Sequence, residues 1–86
     1  MSEISRFFGI VISMYYREHF PPHFHAKYGE YRAGIKIDDL TVFEGNLPPR
    51  ALGMIIEWAA QHKDELSSNW NAVQDKGPLL HIEPLK

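Results

Sequence analysis

His23-Phe24-His25-Ala26-Lys27-Tyr28, then Gly29-Glu30, then Tyr31-Arg32-Ala33-Gly34-Ile35-Lys36: the fold is decided by how this stretch is read. Aromatic and β-branched residues alternate with polar ones on both sides of a glycine-containing turn, which is the pattern of an antiparallel hairpin. The strands run from about His23 to Tyr28 and from about Glu30 to Ile37. A turn centred on Gly29-Glu30 sets Tyr28 opposite Tyr31, Lys27 opposite Arg32, Ala26 opposite Ala33, His25 opposite Gly34 and His23 opposite Lys36. One face then collects Phe24, Ala26, Tyr28, Tyr31, Ala33 and Ile35 and is the expected core. The other collects His23, His25, Lys27, Arg32 and Lys36, with Gly34 giving clearance beside His25. A slip of one residue would turn the aromatic set to water, so the register is strongly constrained.

Upstream, Phe7 to Arg17 reads as one strand. Phe8, Ile10, Ile12, Met14 and Tyr16 share one side; Phe7, Gly9, Val11, Ser13, Tyr15 and Arg17 share the other. Pro21-Pro22 must end it, because proline donates no ladder hydrogen bond. If this strand neighbours the hairpin, Ser13, Tyr15 and Arg17 join the polar face. Downstream, Asp38-Asp39 marks a turn, Thr41 to Glu44 a short strand, and Gly45-Asn46 the end of the sheet.

From Pro48 the period changes. Ala51, Leu52, Ile55, Trp58, Ala59, His62, Leu66, Trp70 and Val73 recur at spacings of three and four, the apolar stripe of an amphipathic helix. It is either one bent helix or two joined near His62-Lys63-Asp64. Gly77-Pro78 stops it. Leu79, Ile82 and Leu85 suggest an extended tail that packs back, an added strand being one way. The expected fold class is α+β: an antiparallel sheet of four to five strands (about 4–46) backed by a long or broken C-terminal helix (about 48–76), with an extended tail (78–86). Residues 1–86 form a single domain.

Composition narrows the function. The 86 residues are 44% hydrophobic and 13% aromatic, which fits a packed globule. A chain this short buries a modest core, so a partner or a second copy would add stability. The absence of cysteine excludes disulfides and thiolate metal sites. Glu3, Ser5 and Arg6 interrupt any apolar run at the start, and no segment approaches the length of a membrane helix. The expected location is therefore the cytosol, with no membrane contact. The net charge of −2 argues against a bulk nucleic-acid binder. Its distribution is uneven: residues 1–37 carry five Lys/Arg against three acids, and residues 38–86 carry four against eight.

The chemistry concentrates between His19 and Lys27, where three of the five histidines lie within seven residues around Pro21-Pro22. Phosphodiester recognition or cleavage needs a proton acceptor, a proton donor and cations. His19, His23 and His25 are the candidates for proton transfer. Tyr15, Arg17, His23, His25, Lys27, Arg32 and Lys36 form the candidate binding set for RNA or DNA. A metal is the other reading, because His-x-His on a strand points both rings to one side. His19 could reach back as a third ligand beside His23 and His25, with Glu18 or Glu30 as an alternative carboxylate. The neighbouring cations oppose a dication there. The bland reading is a solvated polar sheet face with histidines capping backbone groups. His62 is expected half-buried on the helix stripe, and Trp58 and Trp70 in the core or at a partner contact. No organic cofactor is indicated: a Gly-rich phosphate loop, a serine nucleophile motif and a dinucleotide fingerprint are all missing.

The residues also carry a resemblance. Ile4-Ser5-Arg6-Phe7-Phe8-Gly9-Ile10, Met14-Tyr15-Tyr16, His19 through His25 with Pro21-Pro22, and Tyr28-Gly29-Glu30-Tyr31 are similar to the small bacterial family known as domain of unknown function 4160. Leu47-Pro48, Arg50-Ala51-Leu52, Glu57-Trp58, His62, Leu66, Asn69-Trp70 and Ile82-Glu83-Pro84-Leu85 extend it over essentially the whole chain. Glu18-His19 keeps an acid-His pair found in many relatives, whereas Phe20 stands where they often have a polar residue. The resemblance implies a protein encoded beside another small domain, in an arrangement similar to toxin–antitoxin pairs. The expected function is thus a small cytosolic bacterial binding protein of a toxin–antitoxin-like or regulatory pair, with a protein partner or a homodimer. A metal-independent ribonuclease-like toxin and a small metal-binding protein are the alternatives.

Overall fold

A computed structural model describes residues 2–16 and 18–86. Five strands and two helices follow in chain order: β1 (Ser2–Phe7), β2 (Ile10–Met14), β3 (His23–Tyr28), β4 (Tyr31–Lys36), β5 (Val42–Asn46), α1 (Pro49–Ala60) and α2 (Lys63–Gln74). The strands form one antiparallel sheet in the order β1-β2-β3-β4-β5, so every neighbour in sequence is a neighbour in space. The fold is α+β. No described helix is long and apolar enough to cross a membrane.

The central hairpin has the register that the alternation dictates. His23 faces Lys36, Phe24 faces Ile35, His25 faces Gly34, Ala26 faces Ala33, Lys27 faces Arg32 and Tyr28 faces Tyr31. Phe24, Ala26, Ala33 and Ile35 are buried under the helices. Tyr28 and Tyr31, expected in the core, are exposed instead. They stand at the hairpin end. There the Tyr28 ring lies over Gly9 and shares a shallow surface depression with Phe8, Pro48 and Met54.

The single strand expected from Phe7 to Arg17 is a hairpin. Phe8 and Gly9, at φ of 49° and 81°, make a two-residue turn between β1 and β2. Such turns need positive φ at both central residues. The reversal changes the sides: Phe7 is buried with its ring 5.3 Å from Trp58, and Phe8 is exposed. The fifth strand therefore comes from this split, not from the tail. The tail is pinned along the β1 edge without joining the sheet as a strand. The Ile82 amide donates to the Ile4 carbonyl (2.8 Å) and the Ser5 hydroxyl to the Ile82 carbonyl (2.9 Å). Both contacts fall at a bulge between Glu3 and Ser5 that turns Ile4 and Ser5 inward. Asn69 holds the tail from the other side, its amide bonded to both the carbonyl and the N–H of Leu80.

The helical pattern breaks at Gln61-His62, without glycine or proline. His62 leaves the helical backbone at φ −132°, rests on Trp58 and donates from Nδ1 to Glu65 (2.6 Å). Trp58 lies at the centre of the core. It packs against Phe7 and Phe24, and its indole N–H donates to the Glu83 carbonyl at 2.7 Å. The Asp38-Asp39 turn is held by Thr41, whose amide and hydroxyl both donate to the Asp39 carboxylate. The hydroxyl first, and then the amide, hold that carboxyl below its ordinary range. The stabilisation this gives is present above the ordinary carboxylate pKa and is lost as pH falls through the lowered one.

Two glycines respond oppositely to a methyl group. Gly45 in β5 has φ +74°, and a Cβ there would sit 2.1 Å from the Arg32 carbonyl oxygen. Gly53 in α1 has open space around its Cβ position. Gly45→Ala is expected to lower unfolding stability by at least ~2 kcal/mol, through backbone strain and a clash that no side chain can relieve. Gly53→Ala is expected to raise it by about 0.5–1 kcal/mol, through helix propensity. Urea denaturation of the two variants checks the opposite signs.

Candidate functional site

The sheet face away from the helices is organised in rungs. Ser13, His25, Gly34 and Glu44 pair in succession across β2 to β5. The next rung is Val11, Lys27, Arg32 and Asn46. His25, Lys27 and Arg32 thus lie on adjacent rungs of one open face, as the alternation requires. Tyr15, just past the end of β2, covers His25 with ring centroids 4.3 Å apart. Ser13 lies at the bottom of the face and is buried.

These residues line a recess of about 130 Å³ bounded by Val11, Ser13, Tyr15, His25, Lys27 and Arg32. It continues past Gly34 into a shallower depression of about 340 Å³ that reaches Glu44 and Gly45. The two share Tyr15, His25 and Arg32 and form a groove across the strands. Enclosed pockets for small organic ligands occupy ~300–1,000 Å³ and bury most of the ligand. An open groove suits a group on an extended chain better. Neither Lys27 nor Arg32 has a carboxylate within salt-bridge distance among the described residues.

The clearance expected beside His25 over Gly34 is filled. A bulge between Gly34 and Ile35 gives β5 one extra residue, and Phe43 and Glu44 both lie over the glycine. A Cβ on Gly34 would come within 2.9 Å of the Phe43 ring. Phe43 in turn meets the edge of the His23 ring at 4.9 Å.

His23 is on the polar side by register but is not outward: only 4% of it is exposed. Phe43, Trp70 and His25 box the ring in. Its Nδ1 lies 2.7 Å from the Pro21 carbonyl oxygen. A carbonyl only accepts, so Nδ1 carries the proton and donates it. The lone pair of neutral His23 is then on Nε2, which makes no hydrogen bond among the described residues and lies 3.8 Å from Glu18 Oε1. His25 Nε2 donates to the same carboxylate oxygen at 2.7 Å. One ligand-type atom each from Glu18, His23 and His25 falls within 4.8 Å of the others. Both imidazoles come from one strand, and the carboxylate from the segment before Pro21-Pro22.

His19, the third ligand expected beside His23 and His25, is exposed and outside this cluster; Glu18 takes its place. Pro21 aims its carbonyl at His23, which fixes the ring, and the chain before it delivers Glu18 rather than His19. Lys36 faces His23 in the register yet does not line the groove. Arg17 lies outside the described residues. Sequence reasoning missed Phe43, whose place depends on the β5 bulge. The pairing with Gly34 was the only sign that something bulky needed room there.

The comparisons agree with the resemblance. The family model described as Domain of unknown function (DUF4160) matches residues 9–71. The chain belongs to this family. No curated protein and no solved structure matches it. The matched span runs from the β1–β2 turn into α2, so it includes the groove and the Glu18-His23-His25 cluster.

The two histidines of the DUF4160 chain should respond differently to removal. His23→Ala loses a buried hydrogen bond and the contacts of a fully packed ring, and is expected to cost about 1–3 kcal/mol. His25→Ala removes a partly exposed ring from the polar face and is expected to cost under about 1 kcal/mol. Chemical denaturation of both variants measures the difference.

Proposed function

We propose that this DUF4160 protein is a binding component of a small bacterial two-protein system, and that its open sheet face takes single-stranded nucleic acid. The observation that carries the reading is the pair Lys27 and Arg32, cross-strand neighbours without acidic partners among the described residues, at one end of a groove lined by Tyr15 and His25. Single strands are bound by cations that track the backbone and by aromatic rings on which bases stack. Lys27 and Arg32 supply the first, Tyr15 and exposed Phe43 the second. The paired-gene half of the proposal follows the arrangement that the family resemblance implies. With a net charge of −2, affinity rests on this local patch and is modest.

A ribonuclease-like activity is the second reading, favoured by the hydrogen bond from His25 to Glu18. A carboxylate that holds an imidazole through one nitrogen leaves the other to accept a proton.

Fluorescence anisotropy with a short single-stranded RNA at low salt tests the binding. Two phosphate contacts predict a slope of log K against log salt near −1.4, falling to about −0.7 in Lys27→Ala and in Arg32→Ala. Absence of RNA and DNA binding at about 50 mM salt, where such contacts are strongest, would overturn the proposal. RNA cleavage that His25→Gln abolishes while binding persists would establish the second reading.

A further inference from the structure

Before Pro21-Pro22 the chain brings a carboxylate against two imidazoles, and the three do not complete each other's hydrogen bonding. Glu18 Oε1 accepts from His25 at 2.7 Å. It does not reach His23, whose Nε2 is 3.8 Å away and makes no hydrogen bond among the described residues. His23 cannot turn this lone pair elsewhere, because Pro21 holds Nδ1 and three aromatic rings enclose the imidazole. A nine-tenths-buried histidine thus aims an unpartnered lone pair at a carboxylate. That nitrogen is not sealed from solvent, so a water or a metal ion placed between the two would take up the lone pair.

We propose that Glu18, His23 and His25 form a binding site for one divalent transition-metal ion, of which zinc is the best fit. Two imidazole nitrogens and one carboxylate oxygen are the donor set of three-ligand zinc sites with an open fourth position, and of related facial iron sites. They suit calcium or magnesium poorly, since those ions take oxygen ligands. The dimensions agree. Around a tetrahedral zinc with bonds of about 2.0–2.1 Å, ligand atoms lie roughly 3.3–3.4 Å apart. The observed distances of 2.7 and 3.8 Å to Glu18 Oε1 fall on either side of that value. Entry of the ion needs a change of about half an ångström in each of the two distances to Glu18, and the His25–Glu18 hydrogen bond opens as it enters; the three donor atoms already lie within 4.8 Å of one another. His23 already has the outer partner that metal-bound histidines use, a carbonyl on the far nitrogen that fixes the tautomer.

The cations of the face do not forbid the ion. Lys27 and Arg32 occupy the rung beyond His25, roughly 6–7 Å along the strand. Lys36, opposite His23, is close enough to Asp39 to help, after the Thr41 hydrogen bonds, to hold that carboxyl below its ordinary range. Glu18 supplies a negative charge within the site itself. Because His25 also lines the groove, the ion's open position borders the region where the nucleic acid is proposed to lie. The site stands on its own geometry and does not require that binding.

The test uses the full chain without a histidine tag, stripped with chelator and then titrated with zinc by calorimetry and with cobalt(II) by visible absorption. One ion per chain is expected. Glu18→Gln and His25→Gln should each weaken zinc binding by ~100-fold or more, since even outer-shell partners of metal ligands contribute 10–100-fold. Both should keep the parent far-UV circular dichroism, and the cobalt spectrum should be lost. These two variants carry the test because the His23 ring is packed in the core edge. Two results would overturn the proposal: no zinc binding at micromolar concentration, or binding that both variants leave unchanged, which would assign uptake to His62 with Glu65 or to His81.

Discussion

The cross-strand pairs Phe24–Ile35 and Ala26–Ala33 hold every polar group of the open face in place. Both pairs lie under the helices and are buried, with Trp58 against Phe24. Because side chains alternate, burying them sends His25, Lys27 and Arg32 to the other side with no separate instruction. A displacement of one residue would exchange the two sets, exposing Phe24 and Ile35 and burying two cations. Each buried aromatic or aliphatic side chain is worth ~1.5–3 kcal/mol, and an unpaired buried charge costs more than that. The wrong register is therefore disfavoured by an amount comparable to the whole stability of a domain this small. The position of the polar face is thus set by the core.

The second constraint comes from Pro21-Pro22. Neither residue can donate to the ladder, so pairing of β2 with β3 stops at Ser13 and His25 and the chain leaves the sheet there. The carbonyls remain useful. Pro22 accepts from the Ile37 amide at 3.0 Å, which ties the loop to the far end of β4. Pro21 accepts from His23. The same departure carries Glu18 to the end of the strand where both imidazoles emerge. A segment that cannot extend the sheet thus completes the cluster.

Legibility in the sequence followed the range of the interactions. The β3–β4 register was readable because alternation and a two-residue turn are local and reinforce each other. The helical stripe was readable for the same reason, and even the joint at His62 could be located. The β1–β2 turn was hidden. Phe8 at positive φ is uncommon for an aromatic residue, and the apolar alternation runs straight across it. His23 was placed on the right side of the sheet but with the wrong exposure. Its cover comes from Trp70 on α2 and Phe43 on a bulged β5, neither of which a strand-by-strand reading brings near. Glu18 stood only as an alternative to His19, since loop geometry around two prolines leaves no periodic trace.

The two functional readings meet at His25, and charge decides how they relate. Without an ion, Glu18 sets a negative charge against His25, which lines the groove with Lys27 and Arg32, and that charge repels a phosphate approaching His25. A dication bound to Glu18 changes the local charge from −1 to +1 and extends the positive field of Lys27 and Arg32 along the groove. An anionic chain would then meet positive charge from Lys27 and Arg32 to His25, with Glu44 the acid among the residues lining the far end of the groove. The same ion satisfies the His23 lone pair that no described protein group reaches. In the proposed site, one bound ion would thus offset the Glu18 charge and take the His23 lone pair. The two features have different origins: the negative charge is that of Glu18, and the free lone pair is left by the Pro21 carbonyl, which holds His23 through Nδ1.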